Sequence, residues 1–151
     1  MAAKKQIQFS LETIERIKRH KGIAAIYGMT DEERTNLINK LENEAVISAV
    51  KASSKHSINY AFGKQTGELK GNAVTKLLSF ADMVNRENKA LVIDSCEMLQ
   101  KSAYAFLQEL NEKYSIPVVL VSSHPHFQFV LHESSLFREK AVSEIDWKLK
   151  Y

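Results

Sequence analysis

The sequence has little of what would crosslink, anchor or disorder a protein. Its one cysteine, Cys96, excludes a disulfide framework and any zinc site built from several cysteines. No apolar run approaches the roughly 18 residues that a membrane span needs, and the start of the chain has no apolar core of a signal peptide. Only five glycines and two prolines occur in 151 residues, which argues against a long linker. We therefore expect a single domain over residues 1–151 that is soluble, cytoplasmic and without a membrane partner.

Charge is weak overall but unevenly distributed. The net charge of +3 does not by itself require a nucleic-acid partner. Residues 1–21 nevertheless carry a net charge of +4, whereas residues 28–44 carry −3. The basic side chains of the first segment are candidate DNA-binding residues, namely Lys4, Lys5, Arg16, Lys18, Arg19 and Lys21. The alternative is an ordinary solvated helix face.

The spacing of apolar residues predicts alternating helices and strands. The predicted strands are 22–28, 45–50, 90–94, 116–123 and 141–149. The predicted helices are 10–21, with Ser10 as its N-cap, 31–43, 73–87, 101–114 and 125–131. Residues 51–72 are polar and hold three glycines, so we expect an irregular loop there. This order predicts an α/β fold with three α-β-α layers and a mainly parallel sheet of about five strands.

Two strand ends carry candidate ligand-binding residues. Ligands of open α/β sheets bind beyond the carboxyl ends of the strands. Residues 28–35 partly match the phosphate-binding pattern G-x-x-x-x-G-K-[ST]. Gly28 and Thr35 are in register, but Glu33 replaces the second glycine and Arg34 replaces the lysine. At the end of the apolar strand 90–94, Asp94 stands where an aspartate would orient magnesium.

The order of these motifs resembles the core of an AAA+ ATPase, nearest to the Mu B, TniB and TnsC group of transposition proteins. The resemblance covers nearly the whole chain and includes GIAAIYG before the loop 28–35, ALVIDSCEML as the Walker B segment, IPVVLVSSHPHF as the strand ending in sensor 1, and SLFREKA. It implies a P-loop NTPase (AAA+)-like core without the helical lid, with Ser122 or Ser123 at sensor 1 and Arg138 as arginine finger. The partners it implies are DNA, another AAA+ subunit or a recombination enzyme.

The residues at the phosphate loop predict that the protein supplies its own anions there. A Glu33 carboxylate about 4 Å from one phosphate charge costs about 4 kcal/mol at an effective dielectric constant of about 20, which is on the order of a thousandfold in affinity. Thr30 and Glu33 also fit a T-x-x-E capping box, and Asp31 and Glu32 add negative charge at the helix N-terminus. We therefore predict a catalytically degenerate protein that uses no cofactor and acts by binding DNA or proteins.

Two other functions remain open. In an active ATPase, Gly28, Arg34 and Thr35 would hold ATP, and Thr35 and Asp94 would hold Mg²⁺. Its catalytic residues would be Asp94, Glu97, Ser123 and Arg138. The third hypothesis is a scaffold that joins proteins through helix faces or an edge strand.

Two weaker patterns have ordinary structural interpretations. His124 and His126 could bind a metal ion together with His132 or Asp94. Histidines in such a segment are more typical of a polar loop. Cys96 with His124 as a base would make a catalytic thiol, but a buried inert cysteine is more typical. We expect no metal site.

Overall fold

The protein is a parallel β-sheet with helices on both faces. The computed structural model describes residues 2–133 and 142–149. Its strands are β1 (Ile23–Tyr27), β2 (Ala45–Ser48), β3 (Leu91–Asp94), β4 (Val118–Val121) and β5 (Val142–Asp146). Its helices are α1 (Ala2–His20), α2 (Asp31–Lys40), α3 (Lys55–Thr66), α4 (Ala73–Arg86), α5 (Lys101–Tyr114) and α6 (Phe127–Glu133), with one 3-10 turn at Cys96–Met98. No helix in the described ranges is long and apolar enough to cross a membrane.

The strand order in the sheet is β2-β3-β4-β1-β5, and every neighbouring pair is parallel. The predicted α/β class with about five strands is confirmed. Parallel strands need crossover connections, and here the helices provide them. Because β3, β4 and β1 are adjacent, their carboxyl ends lie side by side at one edge of the sheet.

The core has two layers, one on each face of the sheet. Successive side chains of a strand point to opposite faces, so both faces of the central strands are apolar. One layer joins α1 and α2 to the sheet through Ile14, Ile17, Leu37 and Leu41. The other joins α3, α4 and α5 to the sheet, and the rings of Phe62 and Phe80 stack there at a centroid distance of 3.9 Å.

The loop prediction for residues 51–72 is wrong, because α3 occupies most of that segment. The side chain of Ser54 caps the helix, and Gly67 ends it in the left-handed conformation with φ of 80°. Ile58 and Phe62, one helical turn apart, are fully buried. Because polar residues surround this pair, the segment lacks the apolar spacing that predicts a helix. Tertiary packing stabilises the helix.

The first helix begins earlier than predicted, at Ala2, so Ser10 is not its N-cap. The Ser10 hydroxyl lies inside the helix and donates to the Gln6 carbonyl at 2.8 Å. The other predicted elements are present with bounds that differ by a few residues, as is usual for strand and helix ends.

Lys18 is buried on the side of α1 that faces the core. Its ion pair with Glu44, the residue before β2, joins α1 to the sheet. Its Nζ lies 2.7 Å from Glu44 Oε1 and 2.9 Å from Glu15 Oε1. The other Glu44 oxygen accepts from the Ala90 N–H at 3.0 Å. Burial alone lowers the pKa of the Lys18 ammonium, but its hydrogen bonds and charge interactions with Glu44 and Glu15 outweigh burial and raise that pKa above its ordinary value.

We predict that Lys18→Met destabilises the protein by about 3 kcal/mol, because it leaves the Glu44 carboxylate in a largely buried position without its cation. Since the folded pKa of Lys18 is raised, its contribution is fully present below the unfolded pKa of about 10.4 and disappears as pH rises through the folded pKa. Urea unfolding at several pH values measures both effects. Arg19→Met, at the exposed neighbouring position, is the control and should change the unfolding free energy by less than about 0.5 kcal/mol. Equal effects of the two substitutions would contradict the assignment.

Candidate functional site

The candidate site lies at the edge of the sheet where β3, β4 and β1 end. Asp94 is the last residue of β3, Ser122 and Ser123 follow β4, and the turn 28–30 leads from β1 into α2. Residues that are far apart in the sequence therefore meet at the position where open α/β sheets bind their ligands.

Arg34 spans two of these strand ends. Its Nη1 donates to Asp94 Oδ1 at 2.7 Å, and its Nε donates to Ser123 Oγ at 3.2 Å. The Arg34 and Asp94 side chains are only 19% and 17% exposed. The rigid guanidinium fork is suited to such a double contact, which a lysine ammonium would not fix as precisely in space. Arg34 is thus an internal cation of the site.

Asp31 closes the arrangement from the solvent side. The Ser123 hydroxyl donates to Asp31 Oδ1, which lies 3.9 Å from Arg34 Nε. We call the four residues Asp31, Arg34, Asp94 and Ser123 the Arg34 network. It places one cation between two carboxylates at the position where the sequence predicted phosphate and magnesium ligands.

The capping box at the start of α2 is confirmed. Thr30 Oγ1 accepts from the Glu33 N–H at 3.1 Å, and Glu33 Oε1 accepts from the Thr30 N–H at 2.9 Å. Together with Asp31 and Glu32, this gives the first turn of the helix three carboxylates. Side-chain oxygens of the protein therefore take N–H donors at the positive end of the helix dipole, which is also where a phosphate would bind.

The connection between β1 and α2 has only three residues, Gly28, Met29 and Thr30. The second half of the phosphate-loop pattern is already helical, and the Thr35 hydroxyl donates to the Asp31 carbonyl within α2 at 2.9 Å. Thr35 is therefore engaged with the helix backbone.

Gly28 is needed for contact with β5. It adopts φ of 83°, and a Cβ atom there would overlap the Asp146 carboxylate and lie 3.1 Å from the Trp147 nitrogen. The Trp147 N–H donates to the Tyr27 carbonyl at 2.8 Å. The glycine that matched the phosphate-loop pattern thus has a structural reason to be there.

Glu97 accepts a hydrogen bond from Ser122, which is not part of the Arg34 network. The Ser122 hydroxyl donates to Glu97 Oε2 at 3.1 Å and accepts from the His124 N–H at 3.0 Å. Of the two serines expected at sensor 1, Ser122 therefore binds Glu97, and Ser123 binds Arg34 and Asp31.

Cys96 is fully buried beside this edge. Burial first, and then the nearby Glu97 charge, raise the pKa of its thiol well above the ordinary value, so the reactive thiolate is disfavoured. Within residues 2–133 and 142–149, no three His, Cys, Asp or Glu side chains come together as metal ligands. The His132 side chain, Arg138 and the segment 135–141 lie outside what the structure describes.

Four of the six predicted DNA-binding residues are exposed on α1, and the other two are wholly or partly buried. Lys4, Lys5, Arg16 and Arg19 are exposed on α1. Lys21 is half-buried, with Nζ donating to Asn85 Oδ1 at 3.2 Å. Lys18 is buried in its ion pairs with Glu15 and Glu44, so its ammonium is not exposed with the others.

The pairing within the Arg34 network is what sequence reasoning missed. Arg34 and Asp94 were each predicted as ligand-binding residues, and Asp31 only as a helix-terminal charge. The available signal is an arginine at a lysine position together with an aspartate at another strand end. That signal predicts an ion pair only once the strand order is known.

Comparison with known proteins identifies the fold. No protein-family model matches this sequence, and no curated protein does. Among solved structures, the ORC2 protein of Aeropyrum pernix in ADPNP–ADP complexes is similar, with a TM-score of 0.60 and 16% identity over 90% of this chain. A Drosophila ORC structure bound to DNA gives a TM-score of 0.56 and 12% identity over 96% of this chain. Drosophila ORC bound to AT-rich DNA and Cdc6 gives 0.51 and 13% over 95%.

These likenesses show that the chain, with its five-stranded parallel sheet, shares the fold of the similar regions of these ORC structures. The chain spans 46% of the Aeropyrum pernix chain, 91% of the first Drosophila chain and 58% of the second. The three similar structures are of ORC, one of them with Cdc6, and they do not support the narrower Mu B, TniB and TnsC resemblance.

We predict that Arg34 and Asp94 stabilise the fold as a coupled pair. A double-mutant cycle with Arg34→Met and Asp94→Asn, measured by urea unfolding, should give a coupling energy of about 1 to 2 kcal/mol. The matched control is the Arg86–Asp82 pair, which has a similar distance of 2.8 Å but side chains 65% and 70% exposed. Its coupling should not exceed about 0.5 kcal/mol. Additive effects of the Arg34 and Asp94 substitutions would show that their contact contributes nothing.

Proposed function

We propose that this chain is a catalytically degenerate AAA+-like protein that acts by binding DNA, partner proteins or both, and does not hydrolyse ATP. The observation that carries the proposal is the 2.7 Å ion pair between Arg34 and Asp94. It engages the cation and the carboxylate that an ATPase would use for phosphate and magnesium.

Electrostatics supports this proposal over nucleotide binding. A phosphate placed at the start of α2 would face the carboxylates of Asp31, Glu32 and Glu33. One such contact at about 4 Å opposes binding by about 4 kcal/mol at an effective dielectric constant of about 20. Magnesium would also have to take Asp94 from Arg34, which leaves a partly buried guanidinium without its partner. The attraction between the Arg34 guanidinium and the phosphate would offset only part of this unfavourable free energy.

The alternative is a true ATPase whose Arg34 exchanges Asp94 for phosphate when nucleotide binds. Arg34, Asp94 and Ser123 do converge at one sheet edge, and the similar Aeropyrum pernix protein was solved in ADPNP–ADP complexes. In this alternative Thr35 would have to leave its helix carbonyl and join Asp94 on the metal.

DNA is the partner we propose first. Two similar structures contain ORC bound to DNA, and α1 presents Lys4, Lys5, Arg16 and Arg19 to solvent. Contacts between such cations and backbone phosphates give affinity without sequence specificity. From the resemblance to transposition proteins, we further propose a role in transposition, recombination or its regulation, with an AAA+ relative or a recombinase as protein partner.

We predict no calorimetric binding of ATP with magnesium at nucleotide concentrations up to about 1 mM, where a typical nucleotide site would be saturated. The double substitution Asp31→Ala with Glu32→Ala lowers the negative charge and should bring any residual affinity closer to the measurable range.

The ATPase alternative makes an opposite prediction for the same titration. A dissociation constant below about 100 μM that is lost on Thr35→Ala would support it and overturn our proposal. Asn36→Ala, an exposed neighbour on α2, is the control for a general effect on the helix.

We also predict DNA binding that weakens steeply with salt. Replacing Arg16 and Arg19 by alanine should weaken the binding of a short duplex and reduce the slope of log K against log salt by about 2, because two phosphate contacts are lost. Fluorescence anisotropy at several salt concentrations measures both quantities.

The control removes two cations elsewhere. Arg86→Ala and Lys113→Ala lie on α4 and α5, on the other face of the sheet from α1, and should leave the slope unchanged. An absence of binding to duplex and single-stranded DNA at low salt would end the DNA hypothesis.

A further inference from the structure

We draw no further inference here: the strongest candidate, the surface patch of α3 and α4 where the ammonium groups of Lys64 and Lys76 lie 5.0 Å and 5.3 Å from the centre of the exposed Tyr60 ring, carries none because nothing in the described structure shows whether a nucleic acid or an acidic protein covers it.

Discussion

The ion pair between Arg34 and Asp94 is the interaction on which the candidate site depends. It joins α2 to the end of β3, and the same guanidinium bonds Ser123 beyond β4. In a nucleotide-binding site of this fold, the corresponding region holds phosphate and metal, whose charges balance those of the protein. Here the charges of Arg34 and Asp94 neutralise each other across the same edge. Under the proposed function, this internal ion pair takes the place of the charges that ligands would provide.

The charges and hydrogen bonds at the start of α2 also oppose phosphate binding. A helix N-terminus stabilises anions, and this one is supplied with Asp31, Glu32 and Glu33, with Glu33 bonded back to the Thr30 N–H. The three-residue turn after β1 leaves no long loop of free N–H groups to surround a phosphate. Gly28 serves the contact with β5 and Thr35 bonds its own helix, so residues that match the nucleotide pattern have other partners here. The local structure thus gives these residues roles that do not require a nucleotide.

The buried strands could be predicted because both of their faces are apolar, which leaves continuous runs such as that of β4. The capping box at Thr30 could also be predicted, because it depends only on neighbouring residues. Helix α3 could not, since Ile58 and Phe62 are its main core contacts and polar residues surround them. The pairing of Arg34 with Asp94 and of Lys18 with Glu44 depends on which strands and helices are adjacent. Spacing along the chain carries no information about that adjacency.

The proposed function has a consequence for control of the protein. In an ATPase, nucleotide changes the charge at the strand ends whenever it binds or leaves, and a partner on another face can respond only if both sites share two states of different affinity. Under our proposal, the Arg34 network holds the strand ends without nucleotide. DNA binding by the exposed cations of α1 would then be controlled by salt and by the local concentration of DNA, because no nucleotide-dependent change of state would be coupled to it.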